Sequence, residues 1–156
     1  MTHEEIMQLG IDEARKTMNE DLGGPFGAVV MKGDEVVAVA SNHVIAFNDP
    51  TAHAEVLAIR EACKKLGTYD LSDCTLYATG TPCPMCLSAA IWANIKKIYF
   101  SGTTIDAEEI GFRDDFMYRF IEEGSHDNSV LELIPLDNTP ARILYREYAD
   151  MQKVIY

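Results

Sequence analysis

Two short stretches constrain this chain more than any other feature: His53-Ala54-Glu55 and, separated from it by 26 residues, Pro82-Cys83-Pro84-Met85-Cys86. A C-x-x-C turn at the start of a helix sets two sulfurs on one side of a cation, and the helix dipole with its unpaired N–H groups favours the thiolates that bind metal. His53 stands at the start of another expected helix and can supply a third ligand. Two helix N-termini are therefore expected to meet. Three protein ligands leave one tetrahedral position open on zinc, which separates a catalytic centre from a closed structural one. The expected cofactor is one Zn2+ per subunit, held by His53, Cys83 and Cys86, with water or hydroxide as fourth ligand; zinc lowers the pKa of such water to about 7.

Glu55 follows His53 by two residues, a spacing that in the first turn of a helix can aim both side chains at one cavity. One imidazole and two thiolates leave a zinc site formally neutral, so a carboxylate beside it is not needed for charge balance. Glu55 is better read as an acid/base that takes a proton from water and passes it on to a ring nitrogen or leaving group. Taken alone, it could be an ordinary acid at a helix N-terminus, and the C-x-x-C alone could be a structural half-site or a redox pair. No second C-x-x-C or H-x-x-x-H supplies a fourth ligand. A zinc-stabilised interaction domain without enzymatic activity is the alternative if an unrecognised ligand closes that position.

The rest of the chain reads as one compact soluble domain over residues 1–156, with 47% apolar and 24% charged residues. A net charge of -12 with scattered Lys and Arg disfavours nucleic acid and anionic membranes as partners. No window approaches the roughly 18 apolar residues of a membrane span. The acidic start, Met1-Thr2-His3-Glu4-Glu5, is unlike a secretory signal, so a cytoplasmic location is expected. Four cysteines do not make a disulfide scaffold; Cys63 and Cys74 read as small core residues.

Periodicity predicts an amphipathic helix over 4–19, a hairpin of strands 27–31 and 35–44, a helix over 53–66 stopped by Gly67, and strands 74–78 and 96–101 flanking a buried helix over 82–94. Beyond these lie a loop with a short helix (106–123), a strand-like run (130–136) and a last helix from about Thr139. The order predicts an α/β fold, a mixed sheet of about five strands with helices on both faces.

The H-x-E and P-C-x-x-C pair is the signature of zinc nucleobase deaminases. Gly24-Pro25-Phe26-Gly27-Ala28-Val29, Ser41-Asn42, Asn48-Asp49-Pro50-Thr51-Ala52-His53-Ala54-Glu55 and Trp92-Ala93 also resemble bacterial members of the cytidine deaminase-like superfamily. The resemblance implies a three-layer α/β/α sandwich. Small guanine deaminases and tRNA adenosine deaminases share the Asn48–Glu55 stretch; residues 106–118, with Asp114, are similar to the guanine deaminase pattern. The resemblance therefore implies hydrolysis of a free nucleobase, guanine to xanthine and ammonia. A tRNA adenosine deaminase, or a deaminase of another aminated heterocycle such as cytosine, is the alternative.

It further implies Glu55 and Asp114 as catalytic residues, and Phe26, Asn42, the Ala54 N–H, Trp92 and Tyr156 as substrate contacts. Guanine offers an N1–H and an exocyclic amino group as donors, which suits an Asp114 carboxylate; otherwise Asp114 is a solvated loop acid. Phe26 could stack on the purine or anchor the core, and Asn42 could read a base edge or cap a turn. Small guanine deaminases resemble one another in exchanging a C-terminal segment between two subunits. A homodimer is therefore expected, with Tyr145, Tyr148 and Tyr156 more than surface residues.

Overall fold

The computed structural model describes residues 1–156, which form two compact units, 1–117 and 118–156. In the first, helix α1 (His3–Asn19) opens on a capping box in which Thr2 and Glu5 satisfy each other's backbone N–H groups. Strands β1 (Gly27–Lys32) and β2 (Glu35–Ser41) form the predicted hairpin through Gly33, whose φ of +56° suits a residue without a Cβ. A short helix α2 (Val44–Phe47), not foreseen, ends on Asn48 in the left-handed region. Then come α3 (Ala54–Leu66), β3 (Cys74–Gly80), α4 (Pro84–Trp92), β4 (Ile98–Gly102), α5 (Thr104–Glu109) and α6 (Asp115–Glu122), which runs into the second unit.

The sheet order is β2-β1-β3-β4, with β1 antiparallel to both neighbours and β3 parallel to β4 across α4. This is the predicted β-α-β crossover within a mixed sheet. Alternation along β1 sends Ala28 and Val30 to one face and Val29 and Met31 to the other. The first face packs on α3 and α4 with Leu76; the second packs on α1 with Ile6 and Tyr77. The three-layer α/β/α arrangement follows.

Close approach fixes the layers. Ala54, Ala58 and Ala62 recur every fourth residue on the fully buried stripe of α3, where small side chains let the helix sit near the strands. On the opposite face α1 touches the sheet at Gly10 and Gly27, where a Cβ on Gly27 would land on the Gly10 carbonyl oxygen. Backbone meets backbone there, so neither side can give. Gly27→Ala is expected to lower stability by about 1–3 kcal/mol, as overpacking does, read as a lower thermal midpoint; an unchanged midpoint would refute this contact.

Two expectations need correction. The 106–123 segment holds two helices, not one, because Gly111 at φ +101° breaks the chain between them. The run 130–136 is not a strand: Pro135 lacks a ladder donor, and unit 118–156 contains no other strand to pair with. The sheet accordingly has four strands. The second unit instead contains the end of α6, an irregular stretch and helix α7 (Thr139–Asp150), whose Thr139 N–H and hydroxyl both donate to Asp137. Its tail is tied by the Tyr148 hydroxyl donating to the Val154 carbonyl, and Tyr156 is 75% exposed. No helix is long and apolar enough to cross a membrane.

Candidate metal centre

Strand register decides which residues share one end of the sheet. Gly27 opens β1 opposite Ser41, the last residue of β2, while Ala28 pairs with Ala78 near the end of β3. Phe26, Asn42 and the segment after β3 therefore lie at the same end, beyond the carboxyl ends of the parallel strands, where α/β sheets form their ligand clefts. The Thr81 N–H and hydroxyl both donate to the Gly102 carbonyl, tying the approach to Cys83 onto the end of β4.

Two helix starts place the three ligands. Asp49 accepts from the Thr51 N–H and hydroxyl at 2.8 and 2.7 Å, an Asx turn that delivers His53 to the N-cap of α3. Cys83 is the N-cap of α4, Pro84 takes the first helical position, where no N–H is needed, and Cys86 completes the turn. Cys83 Sγ lies 3.6 Å and Cys86 Sγ 3.4 Å from His53 Nδ1, and all three ligand atoms fall within 4.8 Å of one another. Zinc bonds of about 2.3 Å to sulfur and 2.0–2.1 Å to nitrogen, at tetrahedral angles, require an S to N edge of about 3.5 Å. The residues fit the ion.

The electrostatics agree. The Cys83 thiol is pushed down to about 4, first by hydrogen bonding with Cys86 and then by the His53 ring, against the cost of burial. The same proximity of Cys83, with burial, holds Cys86 up. His53 is raised, chiefly by its bond to Cys83. Cys83 is thus poised as a thiolate in a partly buried place, the form in which a cysteine binds a metal cation.

Glu55 is 8% exposed, and its Oε2 accepts from Cys86 Sγ at 3.4 Å. Burial raises its pKa above the ordinary 4.5. Asp114, half-buried at the start of α6, is likewise raised, first by burial and then by the charge of Cys83. Ala54 is fully buried as the first residue of α3, where helix geometry gives its N–H no intrahelical acceptor.

Asn42 is buried: its Oδ1 accepts from the N–H groups of Gly24 (3.3 Å) and Val44 (3.1 Å), and its own N–H donates to the Phe26 carbonyl at 3.0 Å. It does cap a turn, and its amide NH2 group is not used in doing so. Phe26 packs edge-to-face with Phe112 at 5.1 Å and 88°. Residues 1–117 thus gather His53, Cys83, Cys86, Glu55 and Asp114, with Phe26, Asn42 and Ala54 at the same end of the sheet. Trp92 is not gathered in: it ends α4, about 12 Å of helix rise from Pro84, and is 68% exposed. Tyr156 belongs to the second unit. Sequence reasoning missed Thr81 and Phe112; the only available cue for Phe112 was an aromatic residue two positions before Asp114.

Residues 1–102 match the cytidine and deoxycytidylate deaminase zinc-binding region. Guanine deaminase of Bacillus subtilis is 45% identical over 130 residues, 83% of each chain. The crystal structure of a guanine deaminase from that organism superposes with a TM-score of 0.94 at 39% identity, covering 100% of this chain and 99% of that one. A tRNA-specific adenosine deaminase of Aquifex aeolicus is 41% identical over 101 residues, 65% of this chain and 66% of its own. With its ligand triad, its buried glutamate and this extent of similarity, the chain belongs to the zinc-dependent cytidine and deoxycytidylate deaminase family.

Proposed function

We propose that this protein hydrolyses guanine to xanthine and ammonia. The observation that carries it is the reach of the sequence similarity: to the Bacillus subtilis guanine deaminase it covers 83% of this chain, whereas to the Aquifex aeolicus tRNA-specific adenosine deaminase it covers 65%. Charge agrees, since a net -12 repels a polyanion but not a free base.

His53, Cys83 and Cys86 hold the zinc, which supplies a water made acidic enough to serve as nucleophile at neutral pH. Glu55, buried beside Cys86, accepts a proton from water on its carboxylate and returns it to ring atom N3 of the base, next to the carbon that loses its amino group. Its burial keeps the proton from exchanging freely with solvent and raises its affinity for that proton, which suits a group that must both take and give. Asp114 accepts from the N1–H and amino group of the base and assists departure of ammonia. Phe26 offers a flat apolar face to the purine, Asn42 donates from its amide NH2 group, and the Ala54 N–H donates from the helix start.

Presenting guanine, cytosine, adenine and an anticodon stem-loop in parallel, with ammonia as readout, tests the assignment. Guanine is expected to be the preferred substrate, and preference for the stem-loop would favour the tRNA alternative.

The working form is a homodimer in which residues of the 118–156 unit are exchanged and Tyr156 closes the partner's site, so that one deaminase domain draws on all 156 residues. Support comes from the resemblance to small guanine deaminases and from the exposed Ile143, Leu144 and Tyr145 on α7. Light scattering is expected to give twice the 17.4 kDa chain mass; a monomer at micromolar concentration would refute it. The reading includes action in the cytoplasm, a reducing compartment that the four free thiols suit.

A further inference from the structure

Asp114 is carried by a loop between α5 and α6, so something must fix where that loop points. The turn at Gly111 folds it back on α5: the Gly111 N–H donates to the Glu108 carbonyl at 3.0 Å and the Phe112 N–H to the Ala107 carbonyl at 3.0 Å. Phe112 is thereby turned onto Phe26, edge to face. Gly24 makes room, because a Cβ there would lie 3.1 Å from Phe112 Cζ and 3.2 Å from the Phe26 ring. The Gly24 N–H in turn donates to Asn42, whose N–H donates to the Phe26 carbonyl. A continuous run of contacts, Phe112 to Phe26 and Gly24 to Asn42, links the loop of Asp114 to the sheet end bearing the other base contacts. Phe112 remains 46% exposed, so it contributes little to the core.

We infer that Phe112 is a positioning residue for the deamination proposed above. Its T-shaped contact holds the Phe26 ring in one orientation and fastens the loop that aims Asp114, and it touches no reacting atom itself. It rests on guanine being the substrate. An edge-to-face pair adds about 0.5–1.5 kcal/mol beyond its buried area, and displacing a reacting group by about 1 Å can cost on the order of 10²-fold in rate.

Ammonia release is measured for the zinc-loaded wild type and for Phe112→Ala, Phe112→Tyr and Phe112→Leu. Guanine binding is titrated for Phe112→Ala and its parent in a Glu55→Gln background, where turnover does not interfere. Phe112→Ala is expected to weaken guanine binding about 10-fold and to lower kcat/KM about 10²-fold, with zinc content unchanged. Phe112→Tyr keeps the aromatic ring and restores most of the loss, whereas Phe112→Leu, with bulk but no ring, does not. In an Asp114→Asn background the cost of Phe112→Ala shrinks at least several-fold, as for residues acting through one another. Normal guanine binding with kcat/KM within twofold for Phe112→Ala, full rescue by Leu, or an undiminished effect beside Asp114→Asn would overturn the role. A wild type silent on guanine would instead overturn the substrate assignment, and the role of Phe112 with it.

Discussion

Replacing Glu55 by Gln is expected to lower kcat for ammonia release by about 10²–10⁴-fold, the usual worth of a positioned acid/base, while the protein still carries one zinc per chain. The carboxamide keeps the shape of the side chain but cannot accept a proton from water or return one to the base. The pH profile gives a second signature. Glu55 acts as a base only when ionised, and burial raises its pKa, so kcat/KM falls as the solution is acidified through that raised value. The acid limb therefore lies above the 4.5 of an ordinary glutamate. Stability moves the opposite way. A folded pKa above the unfolded one means the folded state holds the proton more tightly, so ionised Glu55 costs stability as pH rises above 4.5. With the metal removed from both, Glu55→Gln is thus expected to melt at or above the wild type at pH 8, with the difference closing toward pH 4.5. Near-normal turnover in Glu55→Gln would remove the residue from the chemistry.

Cys83→Ser is expected to lose the metal and, with it, at least about 10²-fold of activity, the scale at which single catalytic features are usually felt. A serine hydroxyl is not a thiolate, whereas Cys83 is poised at about 4 by Cys86 and His53. The fold should survive in weakened form, since α1, α3 and the sheet have cores independent of the ion. Zinc present at a thousandfold excess over its Kd stabilises a folded chain by about 4 kcal/mol, so the thermal midpoint should fall on the order of 10 °C. Elemental analysis after dialysis, a melting curve and an ammonia assay check the three consequences. A fully active, zinc-free Cys83→Ser protein would contradict the centre altogether.

Much of this was legible from local chemistry. The C-x-x-C turn with Pro84 between the cysteines fixes a helix start, Asn48-Asp49-Pro50-Thr51 builds the turn that delivers His53, and the alanines of α3 mark a face pressed on the sheet. What single-chain periodicity could not supply was partnership. Residues 130–136 carry the apolar composition of a strand, yet a strand exists only where another offers its backbone, and unit 118–156 has none. Nor could spacing reveal that the Phe112 ring meets Phe26 across 86 positions, because that contact depends on a glycine turn folding a loop back on its helix. Asn42 is a case between the two: both possibilities, turn cap and base contact, can hold at once, since its oxygen serves the loop and its amide NH2 group is not needed there.

The most direct test is to incubate metal-analysed protein with guanine and follow ammonia and xanthine together. One equivalent of zinc per chain, with the two products appearing in equal amounts, is the expected result. A fully zinc-loaded protein that releases neither would show that the imidazole, two sulfurs and buried carboxylate serve some other chemistry.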